Sequence, residues 1–332
     1  MGQSQRVEVS RNAYAAHLAP SKVLRQAESM SSLSVRPARP EDASIIALLV
    51  NGANEPHFHT TSERIIEAFN QRPEGRIVAE KSGQVVGTLS LSFPDFLPTH
   101  VWLGLSLHPD HRDHNTASAL LQHASMVAVV QRRTLAWTSL RADYLSTAPD
   151  LSALGFREVH RTFGGGFYFD RQAASGIQVA RQAVPEGITL TSATEWQHDP
   201  RLNALYHAVR GDKVTAEPTI SAASDTLDDP DSLWEAAFVA LRGEEVLGLA
   251  LPERSGLGAW NAILIVHPDV RRQGIGTALQ ARVCTVLEEH GLTFLNTAGV
   301  KADTAYLGIL RRLGANIEPD WIAFEAPLLE QA

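Results

Sequence analysis

The stretch that decides the fold runs from residue 263 to residue 277 and reads ILIVHPDVRRQGIGT. Its first four residues are apolar and predict a strand, and the apolar spacing that continues beyond Gly276 predicts a helix. The start of a helix presents unpaired backbone N–H groups and the positive end of the helix dipole, and glycine lets that backbone come close to an anion. Together with the charges of Arg271 and Arg272, the stretch predicts a phosphate-binding turn.

This turn differs from the common nucleotide-binding loops. It lacks the Lys-Ser/Thr pair of a P-loop and the six-residue glycine spacing of a dinucleotide fingerprint, so neither ATP nor NAD is favoured. The alternative interpretation is that the glycines only form a tight strand-to-helix turn and that the arginines are solvated. Both interpretations predict a strand that is followed directly by a helix.

The turn belongs to an internal repeat. Residues 266–269 (VHPD) resemble residues 107–110 (LHPD) at an offset of 159 residues, and the Leu-Gly pair at 313–314 follows the pair at 154–155 by the same offset. Several landmarks at one offset indicate a duplication rather than chance similarity. With 332 residues, the chain is long enough for two domains of ordinary size.

Each half predicts the same order of elements: antiparallel strands, a helix, a further strand, a helix that ends at the Leu-Gly pair, and a last strand. In the second half, Gly291 predicts the end of the first of these helices. The order indicates an α+β fold in each domain, with a mixed, mostly antiparallel sheet flanked by helices. The predicted strands are 76–80, 84–92, 100–107 and 134–140 in the first half, and 236–241, 245–252, 259–266 and 293–298 in the second.

Composition argues against several classes of protein. A net charge of −8 disfavours a nucleic-acid-binding surface, and no stretch approaches the roughly 18 apolar residues that a membrane helix needs. Cys284 is the only cysteine, so we expect no intramolecular disulfide and no cysteine-based metal cluster, which suits a cytoplasmic location. Its position in an apolar helical pattern predicts a core residue rather than a nucleophile.

The pattern V-x-P-x-x-R-x-x-G-x-G at residues 266–276 resembles the cofactor signature of the GNAT superfamily of N-acetyltransferases, at the strand-to-helix position that this family uses. The tandem arrangement is similar to that of mycothiol synthase and its two-domain relatives, which do not share one substrate. The resemblance implies acetyl-CoA as the acyl donor. Its pyrophosphate would bind the backbone amides of 273–277, and its pantetheine arm would lie between the strand ending at Val266 and the strand beginning near Phe294.

The resemblance also implies a set of cofactor-binding residues and a domain plan. The residues expected to contact CoA are Leu264, Ile265, Val266, Arg271, Arg272, Gln273, Gly274, Ile275, Gly276, Thr277, Asn296 and Asp303. The predicted segments are an N-terminal extension (1–31), a degenerate GNAT-like domain (32–170), a linker (171–187) and a GNAT domain with an intact acyl-CoA site (188–332).

The first domain departs from the signature. Asn115 replaces the first glycine, and its side chain would crowd an approaching phosphate. Asp113 adds a negative charge that repels the same phosphate. We therefore expect weak or no CoA binding in the first half.

Acyl transfer to an amine needs a neutral amine, a polarised carbonyl and a protonated leaving thiolate. The resemblance implies direct attack in a ternary complex, with the backbone N–H of Val266, freed by a bulged strand, as the carbonyl polariser. The usual acid of the family is a tyrosine four residues before the glycine of the Leu-Gly pair, where this chain has Leu310. Tyr306 lies one helical turn earlier on the same face and is either a substitute acid or a half-buried packing residue.

The usual position of the base is also empty, because the predicted strand 259–266 contains no carboxylate. Glu253, at the end of the preceding strand, is a candidate base, and a solvated loop charge is its alternative. The same two interpretations hold for three loop aspartates, Asp228, Asp229 and Asp231. His57 and His59 lie in a loop after the first helix, and two histidines without further ligands predict no metal site.

The sequence therefore predicts an N-acetyltransferase that uses acetyl-CoA in its C-terminal domain to modify a primary amine of a small molecule. No nucleic-acid or membrane partner is expected, and the chain is expected to be a monomer or a homodimer. Two alternatives remain open: a non-catalytic CoA-binding or sensing protein, suggested by the missing acid and base, and a structural tandem protein whose two domains have lost activity.

Overall fold

The computed structural model describes residues 33–54, 58–72, 75–169, 175–227 and 229–328, which form two compact units. Unit 1 contains the described residues up to Thr138, together with Tyr144–Arg157 and those from Phe324 onward. Unit 2 contains Ser139–Asp143 and Glu158–Ala323. Each unit thus includes a segment from the other half of the sequence, so the units are not two consecutive stretches of chain.

Unit 1 is built on strands whose order in the sheet is the same as in the sequence, β1 to β5. Neighbouring strands are antiparallel except for β4 and β5, which pair in parallel. The elements are β1 (Leu33–Pro37), α1 (Ala43–Asn54), α2 (Ser62–Gln71), β2 (Arg76–Lys81), β3 (Gln84–Ser92), β4 (His100–Leu107), α3 (His114–Val130) and β5 (Leu135–Arg141), of which β5 leaves the unit after Thr138.

Unit 2 has the sheet order β6-β11-β10-β9-β8-β7, in which only β10 and β11 pair in parallel. The elements are β6 (Arg157–Tyr168), α4 (Ser175–Gln182), β7 (Thr189–Ser192), α5 (Pro200–Val209), β8 (Phe238–Arg242), β9 (Glu245–Ser255), β10 (Gly258–Val266), α6 (Ile275–Glu289), β11 (Phe294–Val300), α7 (Thr304–Leu313), β12 (Asn316–Ile317) and β13 (Trp321–Pro327), which enters unit 1 at Phe324.

The sheet of unit 2 separates two hydrophobic cores. Ala250 of β9 packs on one face with α4, α6 and α7, whereas Leu249 and Leu251 pack on the other face with α5. This division follows from the alternation of side chains along a strand. On α6, the apolar residues at helical spacing are Ile275, Leu279, Val283 and Leu287, which are buried, and Val286, which is partly buried; Cys284 lies among them in the core. The prediction that Cys284 is a core residue is confirmed.

The α+β fold class and the tandem arrangement are confirmed, and the predicted strands agree closely with β2 to β5 and β8 to β11. Gly291, in the left-handed region, follows the end of α6 as predicted. One predicted helix is wrong: before the Leu-Gly pair at 154–155, the described residues form a 3-10 helix (Ala142–Thr147) and turns. Pro149 explains the difference, because it lacks an N–H group and disfavours helical backbone at the preceding residue.

The segment 171–187, predicted as a linker, contains α4. Ile177 and Ala180 of this helix are buried in the core that contains α6. A side chain at Gly176 would place its Cβ only 2.4 Å from the carbonyl oxygen of Arg312, so glycine allows α4 to approach the end of α7. None of the helices in the described ranges is long and apolar enough to cross a membrane.

Candidate active site

The turn between β10 and α6 has an uncapped helix start. Gly274 is the N-cap residue, has a φ of 93° and provides no side-chain acceptor for the first amides of α6. Arg272 also has a positive φ of 66°, which is uncommon for a residue with a side chain. The N–H groups at the start of α6 are therefore available to an external acceptor, and the helix dipole favours an anion there.

Arg271 connects this turn to two neighbouring parts of unit 2. Its Nε donates to the carbonyl oxygen of Val266 at 2.9 Å, and its Nη2 donates to Asp212 Oδ2 at 2.6 Å. Arg272 and Gln273 are exposed. The turn thus carries two cationic side chains beside the open helix start, one of which is already paired with a carboxylate.

Gly276 and Thr277 face the interior. A Cβ at Gly276 would lie 3.1 Å from Ile309 Cδ1 and 3.5 Å from Val266 Cγ2, so the glycine lets α6 pack closely against α7 and β10. Thr277 is buried, and its hydroxyl accepts from Arg312 Nη1 at 3.4 Å. At these two positions the cofactor site predicted from the sequence presents backbone rather than side chains.

A gap opens between β10 and β11 next to this turn. The two strands pair only at Ala259 with Leu295 and at Trp260 with Asn296. His267 N–H donates to the Leu247 carbonyl oxygen of β9. Because N–H directions alternate along an antiparallel pair, the N–H of Val266 points away from β9, toward the side where β11 has diverged.

β10 is bulged, but not at Val266. Its register with β9 shifts by one residue between Trp260 and Ile263, so that Asn261 and Ala262 lie opposite the single residue Pro252. A proline at this position is consistent with a bulge, because proline has no N–H to give to a neighbouring strand. The expectation that a bulge frees the Val266 amide is therefore corrected: that amide faces the gap because the strands separate.

The phenol of Tyr306 lies at the closed end of the gap. Asn261 Nδ2 of β10 donates to Tyr306 Oη at 2.6 Å, and Thr297 Oγ1 of β11 is hydrogen-bonded to the same oxygen. Burial raises the pKa of Tyr306 to about 12, against the opposing effect of these hydrogen bonds. Leu310, at the position of the usual acid, is fully buried in the core.

Glu253 lies beside the bulge on β9. It pairs with Trp260 across the two strands, and Trp260 is partly exposed. Burial, followed by the charges of Asp229 and Asp231, raises the pKa of Glu253, whereas the charge of Lys213 lowers it. Glu253 is thus a partly buried carboxylate with a raised pKa close to the point where β10 and β11 separate, which suits a proton acceptor.

Asp303, predicted to contact CoA, is the N-cap of α7, where its carboxylate accepts from the backbone N–H of Tyr306 at 2.9 Å. Leu264 and Ile265 lie on β10 between the bulge and the turn. Asn296 is half-buried at the last position where β11 pairs with β10.

Other candidate residues lie elsewhere or outside the described residues. Asp229 and Asp231 are exposed, close enough to Glu253 to affect its pKa. Asp228 and His57 lie outside the described residues. His59 is exposed in unit 1. Burial raises the pKa of Cys284 to about 12, which removes it from the candidate nucleophiles.

The sequence interpretation missed three polar residues at the closed end of the gap. Asn261 lies within an apolar strand, Gln280 within the apolar face of α6, and Thr297 within β11. All three are at least nine-tenths buried. A buried polar side chain within an apolar pattern was the available signal, because such groups are kept only where they are hydrogen-bonded or used.

The model of the acetyltransferase (GNAT) family matches residues 43–142 and 202–314. Among solved structures, a GCN5-related N-acetyltransferase from Sphaerobacter thermophilus is 16% identical, with 90% of this chain and 97% of that chain covered at a TM-score of 0.58. A tandem GNAT protein from the clavulanic acid biosynthesis pathway is 16% identical, with 91% and 100% covered at a TM-score of 0.49. A comparison with curated proteins gives no match.

Proposed function

Because the chain belongs to the acetyltransferase (GNAT) family and contains two copies of its module, we propose that unit 2 transfers an acetyl group from acetyl-CoA to a primary amine of a small molecule. One observation carries the proposal: the uncapped start of α6 opens next to a gap between β10 and β11 that ends at a phenol and close to a carboxylate. An anion site, a channel and two proton-transfer groups are the parts that this reaction requires.

The donor would bind through the turn and the gap. The first amides of α6, with Arg271 and Arg272, would hold the pyrophosphate. The pantetheine arm would lie along β10, where the N–H of Val266 offers a donor that β9 does not use. The acetyl end would then reach the bulge at Asn261.

The reaction would proceed by direct attack. The neutral amine nitrogen attacks the thioester carbonyl carbon, and Glu253 takes the proton that the nitrogen loses as the C–N bond forms. The N–H of Val266, expected from the sequence to polarise this carbonyl, lies five residues from Asn261 along β10 and would instead face the pantetheine arm. The C–N bond forms, the C–S bond breaks, and the leaving thiolate takes a proton from Tyr306. A phenol with a pKa of about 12 remains protonated at neutral pH and so holds that proton until the thiolate forms.

Turnover is the first test. Purified protein is mixed with acetyl-CoA and a panel of small primary amines, and release of free CoA thiol and of acetylated amine is measured together. The proposal predicts amine-dependent release of both. Raised thermal stability with acetyl-CoA but no turnover with any amine would indicate a sensing protein, and no stabilisation at all would indicate a structural protein; either outcome would contradict the proposed reaction.

A further inference from the structure

Four polar side chains form a buried cluster at the closed end of the gap in unit 2. Asn261 Nδ2 donates to Gln280 Oε1 at 2.8 Å and to Tyr306 Oη at 2.6 Å, and Thr297 is hydrogen-bonded to the same phenol. Gln280 is 0% exposed, Thr297 is 1% exposed and Asn261 is 8% exposed. The cluster joins β10, β11, α6 and α7 where the two strands stop pairing.

Asn261 uses one atom of its amide for both bonds. Nδ2 serves Gln280 and Tyr306, whereas the buried Oδ1 has no hydrogen-bond donor among the described residues. An unsatisfied buried polar atom destabilises a fold, and an apolar side chain of similar size would avoid that loss. Packing alone therefore gives no reason for an asparagine at this position, whereas donation from Nδ2 does.

Among the described residues of unit 1, the equivalent repeat positions do not form this cluster. At the repeat offset of 159 residues, Gln280 corresponds to Leu121 and Tyr306 to Thr147. β4 also lacks the bulge that carries Asn261, because its register with β3 runs without a shift from Leu107 to Trp102. The cluster thus occurs in the half that has the uncapped helix start.

We propose that Asn261 is a positioning residue for Tyr306, an inference that rests on the proposed function. Gln280 fixes the amide, and the amide fixes the phenol. A phenol oxygen that accepts from Asn261 directs its own proton away from that amide, and during the reaction toward the leaving thiolate. After that transfer the same N–H stabilises the phenolate, so Asn261 makes proton release easier.

Burial and the neighbouring titratable groups raise the pKa of Tyr306, which opposes the effect of Asn261. Burial has the largest influence, and Asp303 at the start of α7 and Cys284 on α6 raise the pKa further. Asn261 and Thr297 are the two groups that lower it. Removing Asn261 is therefore expected to slow the chemical step without weakening the binding of acetyl-CoA.

A double-mutant cycle with Asn261→Leu and Tyr306→Phe tests this inference. Tyr306→Phe is expected to lower kcat by about 10²- to 10⁴-fold, and Asn261→Leu by about 10- to 100-fold, with acetyl-CoA affinity within about threefold of wild type in both. In the Tyr306→Phe background, Asn261→Leu should lower kcat by less than about threefold, because the phenol through which it acts is gone.

Two further variants serve as controls for misfolding and for the general loss of a buried hydrogen bond. Asn261→Asp keeps the shape of the side chain and removes the amide protons, so it should repeat the loss of kcat if Asn261→Leu does not fold. Thr88→Val removes a buried hydrogen bond to Ile77 in unit 1 and should leave kcat unchanged.

A loss of kcat of less than about threefold in Tyr306→Phe would show that Tyr306 is not the acid and would overturn this proposal with it. A full loss in Tyr306→Phe with equal losses from Asn261→Leu in both backgrounds would overturn the positioning role alone.

Discussion

The two strand-to-helix turns of the repeat differ in what occupies the helix start. In unit 1, Asp113 caps α3: its carboxylate accepts from the backbone N–H of Thr116 at 2.8 Å and from the hydroxyl of Thr116 at 3.2 Å. In unit 2, Gly274 leaves the corresponding amides of α6 without a side-chain acceptor. In unit 1 a side chain of the protein therefore caps the helix and stabilises it, whereas in unit 2 the same position in the fold is open to an anion.

The parallel strand pairs on either side of these turns, β4 with β5 and β10 with β11, differ as well. In unit 1, Trp102 and Trp137 pair across β4 and β5, and their rings lie 4.4 Å apart. In unit 2, the bulge at Asn261 and the phenol of Tyr306 place hydrogen-bonding groups at this end of the gap. Where its two parallel strands stop pairing, one half therefore has two aromatic rings and the other has groups suited to proton transfer.

Replacing Glu253 should have the largest effect on activity. Glu253→Gln keeps the shape of the side chain and removes the base, so kcat/KM is expected to fall by about 10²- to 10⁴-fold. Because burial raises the pKa of Glu253, the acidic limb of the wild-type pH profile should lie above the usual range of a glutamate and be absent from the variant. A profile that keeps this limb in Glu253→Gln would remove Glu253 from the mechanism.

The same variant has an effect on stability that distinguishes a desolvated carboxylate from a solvated one. A folded-state pKa above the unfolded value means that the group contributes stability at low pH and that this contribution is lost as pH rises through the folded pKa. Glu253→Gln should therefore melt at a higher temperature than wild type at neutral pH, and at the same temperature near pH 4. Equal melting temperatures throughout would indicate a solvated loop charge.

Matched charge reversals at one repeat position should have a smaller effect. Arg271→Glu places a negative charge beside the open start of α6 and is expected to weaken acetyl-CoA binding by about 10- to 100-fold. Arg112→Glu, the equivalent change in unit 1, should alter the affinity by less than about threefold. Equal losses in the two variants, measured by calorimetry, would show that the two turns do not differ in function.

The smallest expected effect concerns the cap itself. Asp113→Ala removes the acceptor at the start of α3 and should lower the free energy of unfolding by about 1 kcal/mol. Arg272→Ala, at the equivalent repeat position, changes an exposed side chain and should alter stability by less than about 0.5 kcal/mol. Denaturant unfolding measures both. Unchanged stability in Asp113→Ala would mean that the carboxylate is not an effective cap.

Much of the fold was predictable because the repeat and the apolar patterns are local. The strands before each turn, the helix α6 and its end near Gly291 follow from spacing and from glycine alone. The helix predicted before the Leu-Gly pair at 154–155 does not form, because Pro149 lacks an N–H group and disfavours helical backbone before it. The placement of β6 in unit 2 was not predictable from local pattern, because pairing with β11 depends on a contact between distant parts of the sequence.

The part of the candidate site that is formed by backbone groups was predictable from the sequence, whereas the contacts between distant side chains were not. Gly274 and its neighbours stand out in the sequence because an open helix start needs glycine. The hydrogen bond from Asn261 to Tyr306 joins residues 45 positions apart, and the bulge that turns Asn261 inward adds one residue to a strand without a visible sequence signal. Helical spacing in the sequence points to Tyr306, whereas its hydrogen-bond partners are visible only in the structure.

Calorimetric titration of the wild-type chain with acetyl-CoA tests most directly whether the two turns differ as described. Because Gly274, unlike Asp113, leaves its helix start open, binding should fit one site per chain, and Arg271→Glu should weaken that site while Arg112→Glu leaves it intact. Two equivalent sites per chain, or a single site weakened by Arg112→Glu alone, would contradict the assignment of acyl-CoA binding to unit 2.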